Sequence, residues 1–362
     1  MNSNVELKIN YSQWNLIKKR FYKHKLGVFS LYILLIFYLI AIFSQFLSPY
    51  DPLKMEKNWV AIPPMILNFM YKGEFVRPFV YGFKKEIDLE TYQRIYTKDK
   101  SKIYKIYFLV KGEEYNLFNI FKSNIHLFGS ENGRIYLLGT DRMGRDLLSR
   151  IFYGSSISLS IGLIGVVLSF FIGIILGGIS GLYGGLIDNI IQRIIEIIRS
   201  FPTIPLWMAL AAALPNDWPQ LWVYFGITVL LSLIGWTNLA RVVRGKFLSL
   251  KDEDYVIASI IAGGSKIWII RKHLLPAFIS HIIAEITLAI PIMILAETAL
   301  SFLSLGLKPP LISWGVLLQE VQNIKSIATM PWVFSPVIFI IIVVLAFNFV
   351  GDALRDASDP YS

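Results

Sequence analysis

Few titratable residues of this sequence stand inside long apolar stretches, and these are the first candidates for chemistry. Glu285 and Glu297 lie twelve residues apart, about three helical turns, so they fall on a similar helix face. A carboxylate in such surroundings can carry protons through a membrane, or it can satisfy polar groups inside a helix bundle; the second is the plainer reading. Arg193, Glu196 and Arg199 are spaced three apart, a spacing at which helical side chains meet and pair. A structural ion pair is expected from them. An enzyme's equipment is missing. There is no Gly-x-x-x-x-Gly-Lys-Ser/Thr phosphate loop, and Gly263-Gly264-Ser265-Lys266 echoes one with the wrong spacing. His24, His126, His273 and His281 show no metal-ligand spacing, and no cysteine exists to form a disulfide, a thiolate site or a nucleophile. With no nucleophile and base set, a membrane-embedded hydrolase has no support. No catalytic or metal residues are expected.

The most informative segment runs from Lys251-Asp-Glu-Asp-Tyr-Val-Ile-Ala-Ser-Ile-Ile-Ala-Gly-Gly-Ser265 through Lys266-Ile-Trp-Ile-Ile-Arg-Lys-His-Leu-Leu-Pro276. Acidic residues ending in Asp254 favour a helix start, and Gly263 and Gly264 favour its end. The spacing predicts a short helix carrying Tyr255, Ala258 and Ser259. A second amphipathic stretch then leads to Leu275 and Pro276. A small rigid helix on a loop suits docking into a groove on a partner.

The elements around this segment belong to a membrane. The chain is 55% hydrophobic and 17% charged, with a mean hydropathy of +0.56. No charge occurs for 25 residues after Lys25, 37 after Arg150, 23 after Asp217 and 26 after Lys325. About 20 apolar residues in a helix cross the hydrocarbon. Spans are predicted at 26–47, 155–183, 186–214, 218–240, 277–303 and 331–351. The third carries charges in its first half and prolines 202 and 205 in its second. The second is rich in glycine, which lets helices in lipid pack closely. Residues 51–145 are polar, rich in Lys, Tyr and Phe, and strand-like at Lys102-Ile-Tyr-Lys-Ile-Tyr-Phe-Leu-Val110; they read as an extramembrane α/β insertion. The apolar run after the basic leader 1–25 is too long for a cleaved signal peptide, and no small-residue cleavage site follows it. Net charge is +10, but the basic residues flank spans, where they meet lipid headgroups, and no basic–aromatic platform suits a nucleic acid. With the N-terminus inside, the inner segments carry 16 Lys and Arg and the short outer loops 2, which puts both termini in the cytoplasm.

The 251–276 segment resembles the EAA loop of bacterial ABC importer permeases: Glu-Ala-Ala, three residues, Gly, nine residues, Ile, any residue, Leu-Pro. Ile257, Ala258 and Ser259 hold the first three places, Gly263 the glycine, His273 the isoleucine place, and Leu275-Pro276 the end. Ile257, Ser259 and His273 depart from the pattern. Further segments resemble the oligopeptide/dipeptide permeases of the second-subunit, oligopeptide permease C-like type. These are Leu138-Gly-Thr-Asp-Arg-Met-Gly-Arg-Asp-Leu-Leu-Ser-Arg-Ile-Phe-Tyr-Gly154, Gly181-Leu-Tyr-Gly-Gly185 with Ile187-Asp188, and Ala240-Arg-Val-Val-Arg244. Leu300-Ser-Phe-Leu-Ser-Leu-Gly306, Pro309-Pro310 with Ser313-Trp314-Gly315, and Asn348-Phe-Val-Gly-Asp-Ala-Leu-Arg-Asp-Ala-Ser-Asp-Pro360 complete the ordered set.

The resemblance covers residues 24–52 and 136–361. It implies an all-α membrane protein of six transmembrane helices, the type I ABC importer permease fold. The implied organisation is a leader and first helix (1–50), an external insertion (51–145), a five-helix core (146–356) with its coupling loop (241–276), and a cytoplasmic tail (357–362). It also implies a second permease subunit, two ATP-binding subunits that hold ATP and Mg, an external peptide-binding protein, and no cofactor on this chain. Oligopeptides in a bacterial plasma membrane are the expected cargo and place. Importers of dipeptides or nickel, and a proton-coupled carrier using Glu285 or Glu297, are the alternatives.

Overall fold

The computed structural model describes residues 13–87, 89, 94–117, 120–215 and 217–358. Of the expected leader and tail, residues 1–12 and 359–362 lie outside the described residues.

Helices α1 (Gln13–Lys23) and α2 (Lys25–Ile42) open the chain. His24 separates them, its Nδ1 accepting the Gly27 N–H at 3.1 Å as an N-cap. After a further turn, Ser44–Leu47, Ser48 turns extended ahead of Pro49, and the chain leaves the bundle.

The insertion is built of strands. β1 (Asn68–Tyr71), β2 (Glu74–Ile87) and β3 (Arg94–Lys105) form an antiparallel sheet in that order, and β4 (Tyr107–Leu117) and β5 (Phe121–Gly129) form a second antiparallel pair. The expected mixture of helix and strand narrows to these strands and one 3₁₀ turn, Lys57–Trp59. The strand-like run 102–110 is two strands rather than one. Ile106 interrupts it by turning inward, 5% exposed, and donating its N–H to the Pro78 carbonyl at 2.8 Å. Ile62, Met65, Val80, Ile106, Ile135 and Tyr136 make a small separate core there.

The remaining chain is helical: α3 (Leu147–Tyr183), α4 (Gly185–Ser200), α5 (Thr203–Ala212), α6 (Gln220–Leu250), α7 (Asp254–Ile261), α8 (Leu275–Phe302), α9 (Trp314–Leu318) and α10 (Ser335–Ser358). Among the described residues five helices are long and apolar enough to cross a membrane, and the bent pair α4–α5 makes a sixth if it counts as one span. The predicted third span at 186–214 is thus two helices at 90°. Pro202 causes the break: it forces Phe201 into extended conformation (ψ 141°) and offers no N–H to continue the ladder. α6 runs ten residues past the predicted end of its span, so Arg241, Arg244 and Lys246 sit on a helix rather than in a loop.

α3 and α6 cross where a Cβ on Gly177 would stand 2.5 Å from the Ala240 carbonyl oxygen, so only glycine lets the backbones meet. Asp188 accepts from Arg244 Nε at 2.6 Å and Nη2 at 2.5 Å, a bidentate pair joining α4 to α6. The insertion and residues 303–334 gather at one end of the bundle, and the 251–274 segment stands at the other.

Candidate functional site

α7 starts at Asp254 after the extended residue Glu253, and its first turn carries a carboxylate, as the helix dipole favours. It ends in a left-handed glycine cap. The Gly264 N–H reaches the Ser259 carbonyl at 2.9 Å, and Gly263 has φ +82°. A side chain on Gly263 would meet only open space, so its backbone angle is the requirement. Gly264 has the other requirement: a Cβ there would come 2.8 Å from the Ser259 carbonyl oxygen.

One side chain of α7 anchors it. Val256, 1% exposed, packs among Val243, Phe247, Leu274, Phe278 and Ile282. The last turn of α7 leaves Ile260 and Ile261 at 56% and 81% exposure, with Tyr255 and Ile257 also exposed. Ala258, Ser259 and the two glycines line a groove closed by Trp268 and His273. A π-helical turn, Ile270–Leu274, joins this segment to α8, whose first residues are Leu275 and the exposed Pro276. Leu274 is fully buried, so α7 and α8 share one apolar anchor and can move as a unit.

Of the charged candidates, Arg193 and Glu196 form the expected ion pair, and Glu285 and Glu297 stand apart from it. Arg193 Nη1 donates to Glu196 Oε2 at 2.9 Å on an exposed face of α4. Arg199 leaves that row and donates to Asn238 Oδ1 of α6 at 3.3 Å. Glu285 is half-buried, its Oε1 3.9 Å from Nε2 of His281. Glu297 is fully buried. Its Oε1 accepts from Ser301 Oγ at 2.7 Å and Ser313 Oγ at 2.6 Å, and Ser158 Oγ lies 3.5 Å from Oε2. Ser158 in turn accepts the Trp314 N–H at 3.0 Å. Glu297 therefore holds the 313–316 segment against α3. Among the described residues no three His, Asp or Glu are grouped to hold a metal ion.

A family model of binding-protein-dependent transport system inner membrane components matches residues 170–361, more than half the chain. The chain belongs to that family of permeases. A second model, the N-terminal TM domain of oligopeptide transport permease C, matches residues 12–64. The permease is 38% identical over 224 residues to the dipeptide transport system permease protein DppC of Bacillus subtilis (strain 168), covering 61% of this chain and 68% of the relative. It is 39% identical over 223 residues to the oligopeptide transport system permease protein OppC of the same strain, covering 61% of this chain and 70% of the relative. DppC of Lactococcus lactis subsp. cremoris (strain MG1363) matches at 32% identity across 94% of this chain and 89% of its own, so that match takes in most of the insertion.

Two of the permease's departures from the EAA pattern meet in space. Ser259, in the second alanine's place, lies with its Oγ 3.2 Å from Nε2 of His273, which holds the isoleucine place. Trp268 flanks His273 with ring centroids 5.0 Å apart.

Sequence reasoning missed a buried charge cluster in the permease's 138–154 motif. Asp141, fully buried, accepts from Arg145 Nε at 2.6 Å and pairs with Arg150. Arg145 also reaches Glu320 at 3.6 Å. Thr140 Oγ1 accepts the Ile62 N–H at 2.9 Å and donates to the Trp59 carbonyl at 2.6 Å, and Trp332 Nε1 donates to the Thr140 carbonyl at 2.9 Å. The motif is a buckle tying insertion, α3 and residues 320–332 together. Its signal was visible as five charges in ten residues, Asp141, Arg142, Arg145, Asp146 and Arg150, directly ahead of the uncharged run 151–187.

Proposed function

We propose that this permease is one of two unlike membrane subunits of an ATP-driven importer that carries oligopeptides through a bacterial plasma membrane, with both termini cytoplasmic. The observation that carries the reading is α7: an apolar face at Ile260 and Ile261, between an acidic start and a glycine stop, on the end of the bundle where the Lys and Arg count puts the cytoplasm. That face suits a groove on an ATP-binding subunit. Two such subunits hold ATP and Mg. When they close on ATP, α7 is drawn with them, and through Val256 and Leu274 it pulls α6 and α8. The outward-facing state is thereby favoured, and hydrolysis resets it. A peptide-binding protein delivers cargo at the insertion end. The names of the Bacillus relatives support peptides as cargo. Dipeptides are the second reading, favoured by the Lactococcus relative, whose match takes in most of the insertion.

The test is uptake of labelled tetra-alanine and di-alanine by cells whose chain is wild type or Gly263→Trp. The reading expects uptake in wild type and its loss in the variant, with the variant still inserted in the membrane. Normal uptake by Gly263→Trp overturns the role of α7. Uptake of di-alanine alone overturns the oligopeptide assignment in favour of the second reading.

A further inference from the structure

The elbow between α4 and α5 is the wall of a cavity of about 440 Å³ that α3, α6 and α8 complete. Phe170, Leu206, Ile292 and Met293 make it mostly apolar, and the polar side chains that line it include the two charged ones, Arg199 and Glu285, and the amide of Asn238. Arg199 and Glu285 do not pair with each other. Arg199 donates to Asn238 at 3.3 Å, and Glu285 Oε1 stands 3.9 Å from His281 Nε2, beyond hydrogen-bond reach.

A guanidinium and a carboxylate within an apolar bundle are costly unless they face protein or water. A helix broken at membrane depth is tolerated where it lines a wetted cavity. At this elbow Arg199 and Glu285 both line a cavity beside the break between α4 and α5. α5 begins at Thr203, a cavity residue, with no side-chain cap, and this adds positive potential on the Arg199 side. Trp207 Nε1, on the same wall, is buried with no hydrogen-bond partner. Opposite charges held apart across an apolar pocket are the complement of a zwitterion.

We propose that this cavity is a transit subsite for a short peptide with both termini free. Arg199 and Asn238 take its C-terminal carboxylate, and Glu285 takes its N-terminal ammonium. The inference rests on the peptide-importer reading above.

The experiment uses the assembled complex in native membranes, with labelled trialanine as probe. A photoreactive benzoylphenylalanine at position 292 should capture trialanine, and free trialanine should compete better than its C-terminal amide or N-acetyl form. In Arg199→Gln the ratio of trialanine uptake to trialanine-amide uptake should fall about tenfold or more, as loss of a charged hydrogen bond implies. Arg199→Lys should keep most of that ratio. Glu285→Gln should lose the preference against the N-acetyl form. The binding protein is common to all arms, so its own selectivity cancels. If position 292 captures only the second permease or lipid, the cavity has another occupant and the proposal falls. Unchanged ratios in both variants, with normal wild-type uptake, overturn the subsite alone. Wild-type membranes that take up no peptide overturn the importer reading and the subsite together.

Discussion

At the insertion end, Asp141, Arg145 and Arg150 lie inside the protein at 0%, 7% and 3% exposure, whereas at the opposite end Ile260 and Ile261 stand out at 56% and 81%. Each end thus places its residues against the usual preference. Buried charges need partners with fixed geometry, and here they come from within residues 141–150 and from Glu320. Exposed apolar side chains need cover, and within this chain α7 has none for that face. The first arrangement holds segments in place; the second leaves apolar surface exposed, which is what the proposed contact with an ATP-binding subunit requires.

The comparison breaks most directly at Asp141. Asp141→Ala leaves Arg145 and Arg150 short of their shared partner, and a loss of about 3–5 kcal/mol is expected, read as loss of folded, membrane-inserted protein. A comparable truncation at the other end, Ile261→Ala, should leave stability nearly unchanged and weaken only co-purification of an ATP-binding subunit.

Acidity should also separate the ends. Burial pushes the Asp146 carboxyl up to about 6, although hydrogen bonds from Ser149 oppose it. Burial and the Asp141 charge likewise raise Glu320. A raised carboxyl stabilises the folded state in its protonated form. That contribution is complete below about pH 4 and is lost as pH rises through 6, a change of roughly 2–3 kcal/mol for Asp146. Thermal unfolding in detergent between pH 4 and 7.5 should show it. Asp146→Asn keeps the N-cap of α3 and should flatten the profile; an unchanged slope removes Asp146 as its source.

Two glycines with nearly the same backbone angle sharpen the contrast further. Gly144 has φ +77° and Gly263 has φ +82°. A Cβ on Gly144 would stand 2.2 Å from the Glu56 carbonyl oxygen, whereas one on Gly263 would meet nothing within 4 Å. Gly144→Ala should cost about 2 kcal/mol or more, from strain plus collision. Gly263→Ala should cost about 1 kcal/mol, from strain alone. Paired denaturation measurements check the order.

The smallest effect is expected at the Ser259–His273 contact. Ser259→Ala should cost about 1 kcal/mol. Ser259→Ala combined with His273→Ile, which restores the family's own residues, should cost less than the sum of the two single changes. A double-mutant cycle on stability and uptake reads the coupling.

The spans were legible because uncharged runs of the required length have one stable outcome in lipid. The short helix α7 was legible through acidic residues at its start and a glycine pair at its end. Other features were not, because each depends on distant partners. The right-angle elbow was foreshadowed by Pro202, but proline fixes only that a helix breaks, while packing of Ile191 and Ile195 against Trp236 and Ala240 orients α4. The inward turn of Ile106 depends on a core shared with Ile62 and Tyr136. The buckle needs Glu320, far along the chain from Arg145, and no local pattern announces that meeting. Glu285 and Glu297 looked equivalent in spacing, yet one lines a cavity and the other is enclosed by serines.

The central claim is that α7 seats in an ATP-binding subunit. The chain has no cysteine, so Ile261→Cys offers a single thiol for a short bifunctional cross-linker in native membranes. The account predicts one heavier product containing an ATP-binding chain, abolished when Gly263→Trp is added. A thiol that stays unlinked, and that a hydrophilic maleimide labels equally in the assembled complex and in the isolated chain, would contradict it.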